Sequence, residues 1–129
     1  MASIFSRIIA GEIPCYKIAE NDEFIAFLDI TPLAEGHTLV VPKREVDYYF
    51  DLTEEELCGI QIFAKAVAAK IKRVVPCKRI GVAIIGLEVP HAHVHLVPLN
   101  TMRDIHFGGE RLQLTAERMQ ELAVQIANA

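Results

Sequence analysis

Three histidines alternate with apolar residues in the run His91-Ala92-His93-Val94-His95. In an extended strand, alternate side chains share a face. The three imidazoles then point one way, and Ala92, Val94 and Leu96 point the other way, into a core. Buried polar groups need partners, so a purely structural strand would not spend one whole face on imidazoles; the plain alternative is a solvated, histidine-rich strand face. Two chemistries suit the pattern. A metal ion is one, but same-face residues lie about 6.5–7 Å apart and the outer two histidines ~13 Å apart at Cα. One ion would take two of them and need a further ligand from His37, Asp29 or Glu88. Nucleophilic attack on phosphorus is the other. Imidazole titrates near pH ~6.5 and is a good nucleophile there, while its neighbours can donate hydrogen bonds to phosphate oxygens. This second chemistry uses all three, with His93, the middle one, as candidate nucleophile.

Several elements must hold that run in place. Ser3 can cap a short helix carrying Ile4, Phe5, Ile8 and Ile9, which Gly11 would end. Strands are expected at Tyr16–Glu20 and Phe24–Asp29 around an Asn21-Asp22-Glu23 turn, with Thr31-Pro32 breaking the second. The β-branched run His37–Val41 is closed by Pro42. Thr53 and Glu56 form a capping box ahead of Leu57, Ile60, Ala64, Val67, Ile71 and Val74, which recur at helical spacing until Pro76. Two more strands are expected at Arg79–Ile85 and His91–Pro98, and Thr115 opens a last helix with Met119, Leu122, Ala123 and Ile126 on one face. Short antiparallel strands with helices on one side make an α+β fold.

The chain has 129 residues, 52% of them hydrophobic, and a net charge of −4, so residues 1–129 read as a single domain able to bury a core. No basic face is available to coat a nucleic-acid backbone. No stretch reaches the ~18 apolar residues of a membrane span, and the start has no signal-peptide pattern; a cytoplasmic protein without nucleic-acid or membrane partners is expected. Cys15, Cys58 and Cys77 form no C-x-x-C pair, which disfavours a disulfide framework and a cysteine-rich zinc site. Ser3 and Ser6 are the only serines, so a serine nucleophile has almost no candidates.

With these residues in view, the chain resembles the histidine-triad (HIT) family, nearer its Hint-type branch. The resemblance runs through Ile4-Phe5, Glu12-Ile13-Pro14, Phe27-Leu28-Asp29-Ile30-Thr31-Pro32, Gly36-His37-Thr38-Leu39-Val40-Val41-Pro42-Lys43 and His91-Ala-His93-Val-His95-Leu-Val, over roughly residues 3 to 99. It implies a HIT-like fold: an antiparallel sheet of about five strands, a main helix packed on it, and short helices at both ends. It also implies a nucleotide hydrolase or transferase, of phosphoramidase type, that cleaves a nucleoside monophosphate from a leaving group through a nucleotidyl-His93 intermediate. His95 resembles the phosphate-contacting histidine, His91 the one that positions the others from behind, and His37 an additional histidine close to the triad. Asp29 falls where the ribose hydroxyls bind, and Ile4, Phe5, Ile8, Phe27 and Ile30 match the apolar pocket around the base; Glu88 and Val89 belong to the segment beside the phosphate. The implied partners are a purine nucleotide or nucleotide conjugate and a second copy of the chain, in a homodimer whose sheets join. No cofactor or metal is expected. The alternative is a nucleotide-binding regulatory protein that keeps the fold with weak or no catalysis.

The chain departs from the family in three places. Ahead of the triad, many members carry a longer glycine-rich loop ending G-Q-[ST]-V, with an Asn upstream. Here Leu87 takes the Gln position, Glu88 takes the Ser/Thr position, and no Asn is present. A carboxylate beside a phosphate repels it unless protonated or paired. Glu88 thus marks either a different leaving group, such as a cationic amine or lysine side chain, or a structural pairing with Arg103 or Arg111 across a dimer; reduced activity is a further reading. Near the start, Ser3 and Ser6 stand where some bacterial relatives have C-x-x-C, and Glu45 stands where a histidine is common after Pro-Lys-Arg, so a zinc site is lost. The tail past Pro98 lacks the Trp-Pro-Pro-Gly ending and carries His106, Phe107, Gly108-Gly109 and the terminal helix instead. His106 could reach the site, although an exposed loop histidine is the commoner outcome.

Overall fold

The computed structural model describes residues 1–129. Five strands, β1 (Lys17–Glu20), β2 (Phe24–Leu28), β3 (Thr38–Pro42), β4 (Arg79–Ala83) and β5 (Val94–Leu99), and three α-helices, α1 (Ile4–Ile9), α2 (Glu54–Val74) and α3 (Ala116–Ala127), make up the fold. The strands form one antiparallel sheet in the order β1-β2-β3-β5-β4, the α+β arrangement expected from the sequence. No helix is long and apolar enough to cross a membrane.

Local chemistry accounts for the boundaries. Asn21 Oδ1 accepts the N–H groups of Glu23 (2.9 Å) and Phe24 (2.8 Å), which turns β1 into β2. The capping box at Thr53 and Glu56 is formed in both directions, and Thr115 caps α3 through the Arg118 N–H. At Gly36 the φ angle is +92°, and a Cβ there would lie 2.8 Å from Val75 Cγ2 beyond the end of α2. Only glycine fits both the backbone and the gap, just before the strand that carries His37 into place.

The sheet is apolar on both faces. On one side Ala26, Leu28, Val40, Val94 and Leu96 pack with Ile60, Val67 and Ile71 of α2 and with Met119, Leu122 and Ile126 of α3. Each of these larger side chains contributes roughly 1.5–3 kcal/mol when fully buried. On the other side Ile25, Phe27, Leu39 and Val41 make a smaller cluster with Phe5 of α1. The register sets Phe27 opposite Leu39, Leu39 opposite His95, and His95 opposite Ala83. One row of this second face therefore runs from two hydrophobic side chains onto an imidazole before it reaches Ala83 on the edge strand.

Several strand ends are displaced by one residue from expectation, and two boundaries differ by more. β5 begins at Val94, so His91 and His93 precede the strand. The reason is a change of backbone partner: the His91 N–H bonds back to the Val89 carbonyl (2.8 Å) and the Ala92 N–H bonds to Val46 (2.7 Å) instead of a neighbouring strand. The alternation survives without the ladder, since Ala92, Val94 and Leu96 all enter the core. β4 stops at Ala83, two residues before Ile85, and Gly86 at φ +74° turns the chain toward the triad.

Candidate active site

Above the second face lies a cleft of about 470 Å³. Ile4, Phe5 and Ile8 of α1 form one wall, with Phe27 and the exposed Ile30 beside them. Asp29 stands at the end of β2, and Glu88 and Val89 enter from the segment ahead of the triad. His93 and His95 line the floor. All ten of these expected positions therefore converge on one cavity. His91 and His37 do not line it; both are fully buried directly behind it. His106 is exposed and belongs to a separate shallow depression with Arg103 and Asp104, so it does not reach the cleft.

Hydrogen bonds settle which nitrogen of each imidazole carries the proton. His91 Nε2 donates to the Pro42 carbonyl (2.8 Å), which leaves Nδ1 to accept from Ser3 Oγ (2.7 Å). His93 Nδ1 donates to the His91 carbonyl (2.7 Å), so its Nε2 lone pair is free. The Leu33 N–H donates to His37 Nδ1 (3.0 Å), so His37 Nε2 holds a proton and gives it to His95 Nδ1 (3.0 Å). His95 is then left with a proton on Nε2. The outcome is an acceptor at His93 and a donor at His95, with ring centroids 4.8 Å apart. Phe5 meets the His93 ring edge-to-face at 5.0 Å and fixes its plane.

Burial favours the neutral form of His37, His91 and His95. It is the main cause lowering His37 to about 4 and His95 to about 3, with the Arg111 charge and neighbouring histidines acting in the same direction. His91 is lowered by burial as well. The 3.6 Å approach of His37 Nε2 to Asp29 Oδ2 is thus a polar contact of a neutral ring and not an ion pair at neutral pH.

Asp29, His37 and His95 bring three ligating atoms within 4.8 Å of one another, as a metal site would. The tautomers oppose it: His37 Nδ1 is taken by the Leu33 N–H, so the nitrogen facing the cluster carries a proton and offers no lone pair. The positions of the family's zinc site do not fit that metal either. Ser6 Oγ (2.6 Å) and the Ser3 N–H (2.7 Å) both donate to Glu45 Oε1, Ser3 Oγ accepts the Ser6 N–H (3.0 Å) and donates to His91, and no thiolate is present. These groups satisfy one another, and no buried side-chain polar atom lacks a partner. The resulting cluster joins α1, which bears the apolar wall, to His91 behind His93. The sequence named its members but not their contact.

The segment after β5 supplies two cleft residues that sequence reasoning missed. Phe107 meets the His95 ring edge-to-face with centroids 4.6 Å apart, and Arg111 lies over the Phe107 ring at 5.5 Å. Arg111 Nη1 donates to the Thr31 carbonyl (2.8 Å), and the Leu112 N–H donates to Pro32 (2.8 Å). Within the chain no arginine is ion-paired with Glu88. The Phe107-Gly108-Gly109 string was the only signal of this strap.

The fold and the site together are those of an α+β protein with a histidine-floored cleft, walled by apolar residues, on an antiparallel sheet. The HIT domain model matches residues 10–102, and the chain belongs to the HIT family. An uncharacterised HIT-like protein of Mycoplasma genitalium is 40% identical over 100 residues, covering 74% of this chain and 71% of its own length. The adenosine 5′-monophosphoramidase of Schizosaccharomyces pombe is 30% identical over 134 residues, 99% of this chain and 98% of its own. A HIT-like protein involved in cell-cycle regulation from Bartonella henselae superposes with a TM-score of 0.84 at 29% identity, covering 98% and 95%.

Proposed function

We propose that the protein hydrolyses a purine nucleoside phosphoramidate through a covalent intermediate at His93. The observation that carries this reading is the opposed pair of tautomers: a lone pair on His93 Nε2 beside a proton on His95 Nε2. The base would lie between Phe27, Ile30 and the α1 wall, and the ribose hydroxyls would reach Asp29. His93 Nε2 then attacks the phosphorus, a P–N bond to the enzyme forms, and the bond to the leaving nitrogen breaks. Water opens the intermediate in a second displacement. Across the two steps the leaving amine gains one proton and the water loses one, so the net change is addition of water. His95 holds a phosphate oxygen as charge builds on it, and His91 and His37 act as positioning residues behind the two rings.

An amine leaving group suits the carboxylate of Glu88 at the cleft wall, which would repel a polyphosphate. The same residue, with Leu87, removes donors from the segment ahead of the triad, and this favours a second reading as a nucleotide-binding regulator with weak turnover. Incubation with adenosine phosphoramidate followed by an acid-free quench and mass spectrometry separates the two: an adenylyl group on His93 supports hydrolysis, and binding without adduct or turnover supports the regulator.

The family resemblance also supports a homodimer. β4 forms an open edge of the sheet, and Val82 (55% exposed), Ile84 and Ile85 line it; pairing with a second copy would cover this edge.

A further inference from the structure

We infer that Arg111, seated on the ring of Phe107, is the anion-binding residue of the cleft and contacts the phosphate of the bound nucleotide. The inference rests on the nucleotide reading above. Among the cleft-lining residues Arg111 is the one fixed positive charge, against the carboxylates of Asp29 and Glu88. Other donors are few. His93 presents a lone pair, His95 presents a single neutral N–H, and Thr31 Oγ1 is spent on Asp29 (3.1 Å). Among the cleft side chains, a phosphate placed at His93 would otherwise meet one N–H donor and two carboxylates.

Arg111 is equipped for this role. No carboxylate lies within ion-pair distance of it. One N–H holds the Thr31 carbonyl at 2.8 Å and another reaches the Phe107 carbonyl at a long 3.5 Å, so most of the fork is uncommitted. The stem is fixed by a tight turn, in which the Gly109 N–H bonds to the His106 carbonyl (3.1 Å), and by the anchor of Leu112 on Pro32. Phe107 touches both the guanidinium of Arg111 and the ring of His95. The positive field of Arg111 also reaches His37 and His95, where it opposes protonation. The strap thus returns to the site the phosphate donors that Leu87 and Glu88 took from it.

Calorimetric titration of the full chain with AMP and with adenosine tests this. Wild type is expected to bind AMP more tightly than adenosine. Arg111→Gln should lose AMP affinity by about ten- to a hundredfold, the range for a hydrogen bond to a charged group, with adenosine affinity unchanged; Arg111→Lys should fall between, because an ammonium lacks the planar fork. Unchanged adenosine binding doubles as proof that the variants fold. Equal losses for both ligands, or AMP affinity indifferent to both substitutions, overturns the inference. Wild type that binds neither ligand overturns the nucleotide reading and this inference with it.

Discussion

At the scale of single residues, the chemistry depends on proton placement more than on the identity of the imidazoles. His93 keeps a lone pair toward the cleft because a backbone carbonyl takes its other nitrogen's proton. His93→Ala should lower turnover of adenosine phosphoramidate on the order of a thousandfold or more, while AMP binding persists; turnover within tenfold of wild type would remove His93 as nucleophile. Glu88 bears on the leaving group. Glu88→Ser should raise kcat/KM for a dinucleoside polyphosphate by about tenfold, as relief of one repelled charge near a protein surface allows, without raising it for a lysine-linked phosphoramidate. An equal gain on both substrates would show that Glu88 does not discriminate leaving groups.

At the scale of elements, α1 is held to the triad by polar contacts as well as by Phe5. Glu45 is held down to about 2, chiefly by the Ser6 hydroxyl and then by the Ser3 backbone N–H. Its share of stability is present above the ordinary carboxylate range and is lost as pH falls toward 2. Glu45→Gln or Ser3→Ala should therefore speed hydrogen exchange of the α1 amides and raise KM more than they lower kcat, because the helix carries the apolar wall of the cleft. His37 and His95 act in a different window. Their folded values lie below the unfolded ~6.5, so between about 6.5 and 4 the unfolded chain binds more protons. Melting temperature should drop as pH falls through that interval, and His37→Gln should flatten the slope; a slope confined to pH below 4.5 would assign acid sensitivity to carboxylates alone.

The three capped helices and the sheet strands were legible because each is written in local spacing: the capping box at Thr53, the stripe from Ile60 to Ile71, the alternation at His91 to His95; the grouping of Asp29, Phe27 and the α1 residues came only with the family resemblance. The start of β5 was not legible, because Ala92 bonds to Val46 in a distant loop. Arg111 was invisible as a site residue for the same reason. Its partner Thr31 is 80 positions away, and nothing in the periodicity of an irregular tail reports where it lands.

At the scale of the whole molecule, an antiparallel sheet with an uncovered edge beside the cleft makes assembly and activity neighbours. β4, an edge strand, exposes Val82 and runs into Ile84, Ile85 and the segment bearing Glu88. Val82→Arg should shift the chain from dimer to monomer in analytical ultracentrifugation and lower activity through this segment. A wild-type chain that sediments as a monomer at high concentration would contradict the edge-pairing proposal.

Cys15 sits in the same cleft, beyond Pro14 and across from the triad, while Cys58 and Cys77 lie outside it. Burial raises its thiol pKa, so it alkylates slowly at neutral pH and faster in mild base. The protein therefore carries a built-in footprinting reporter. A nucleotide seated on Phe27 and Asp29 should shield Cys15 from iodoacetamide while Cys58 labels freely, which gives a measure of site occupancy for any compound, whether or not it is ever turned over.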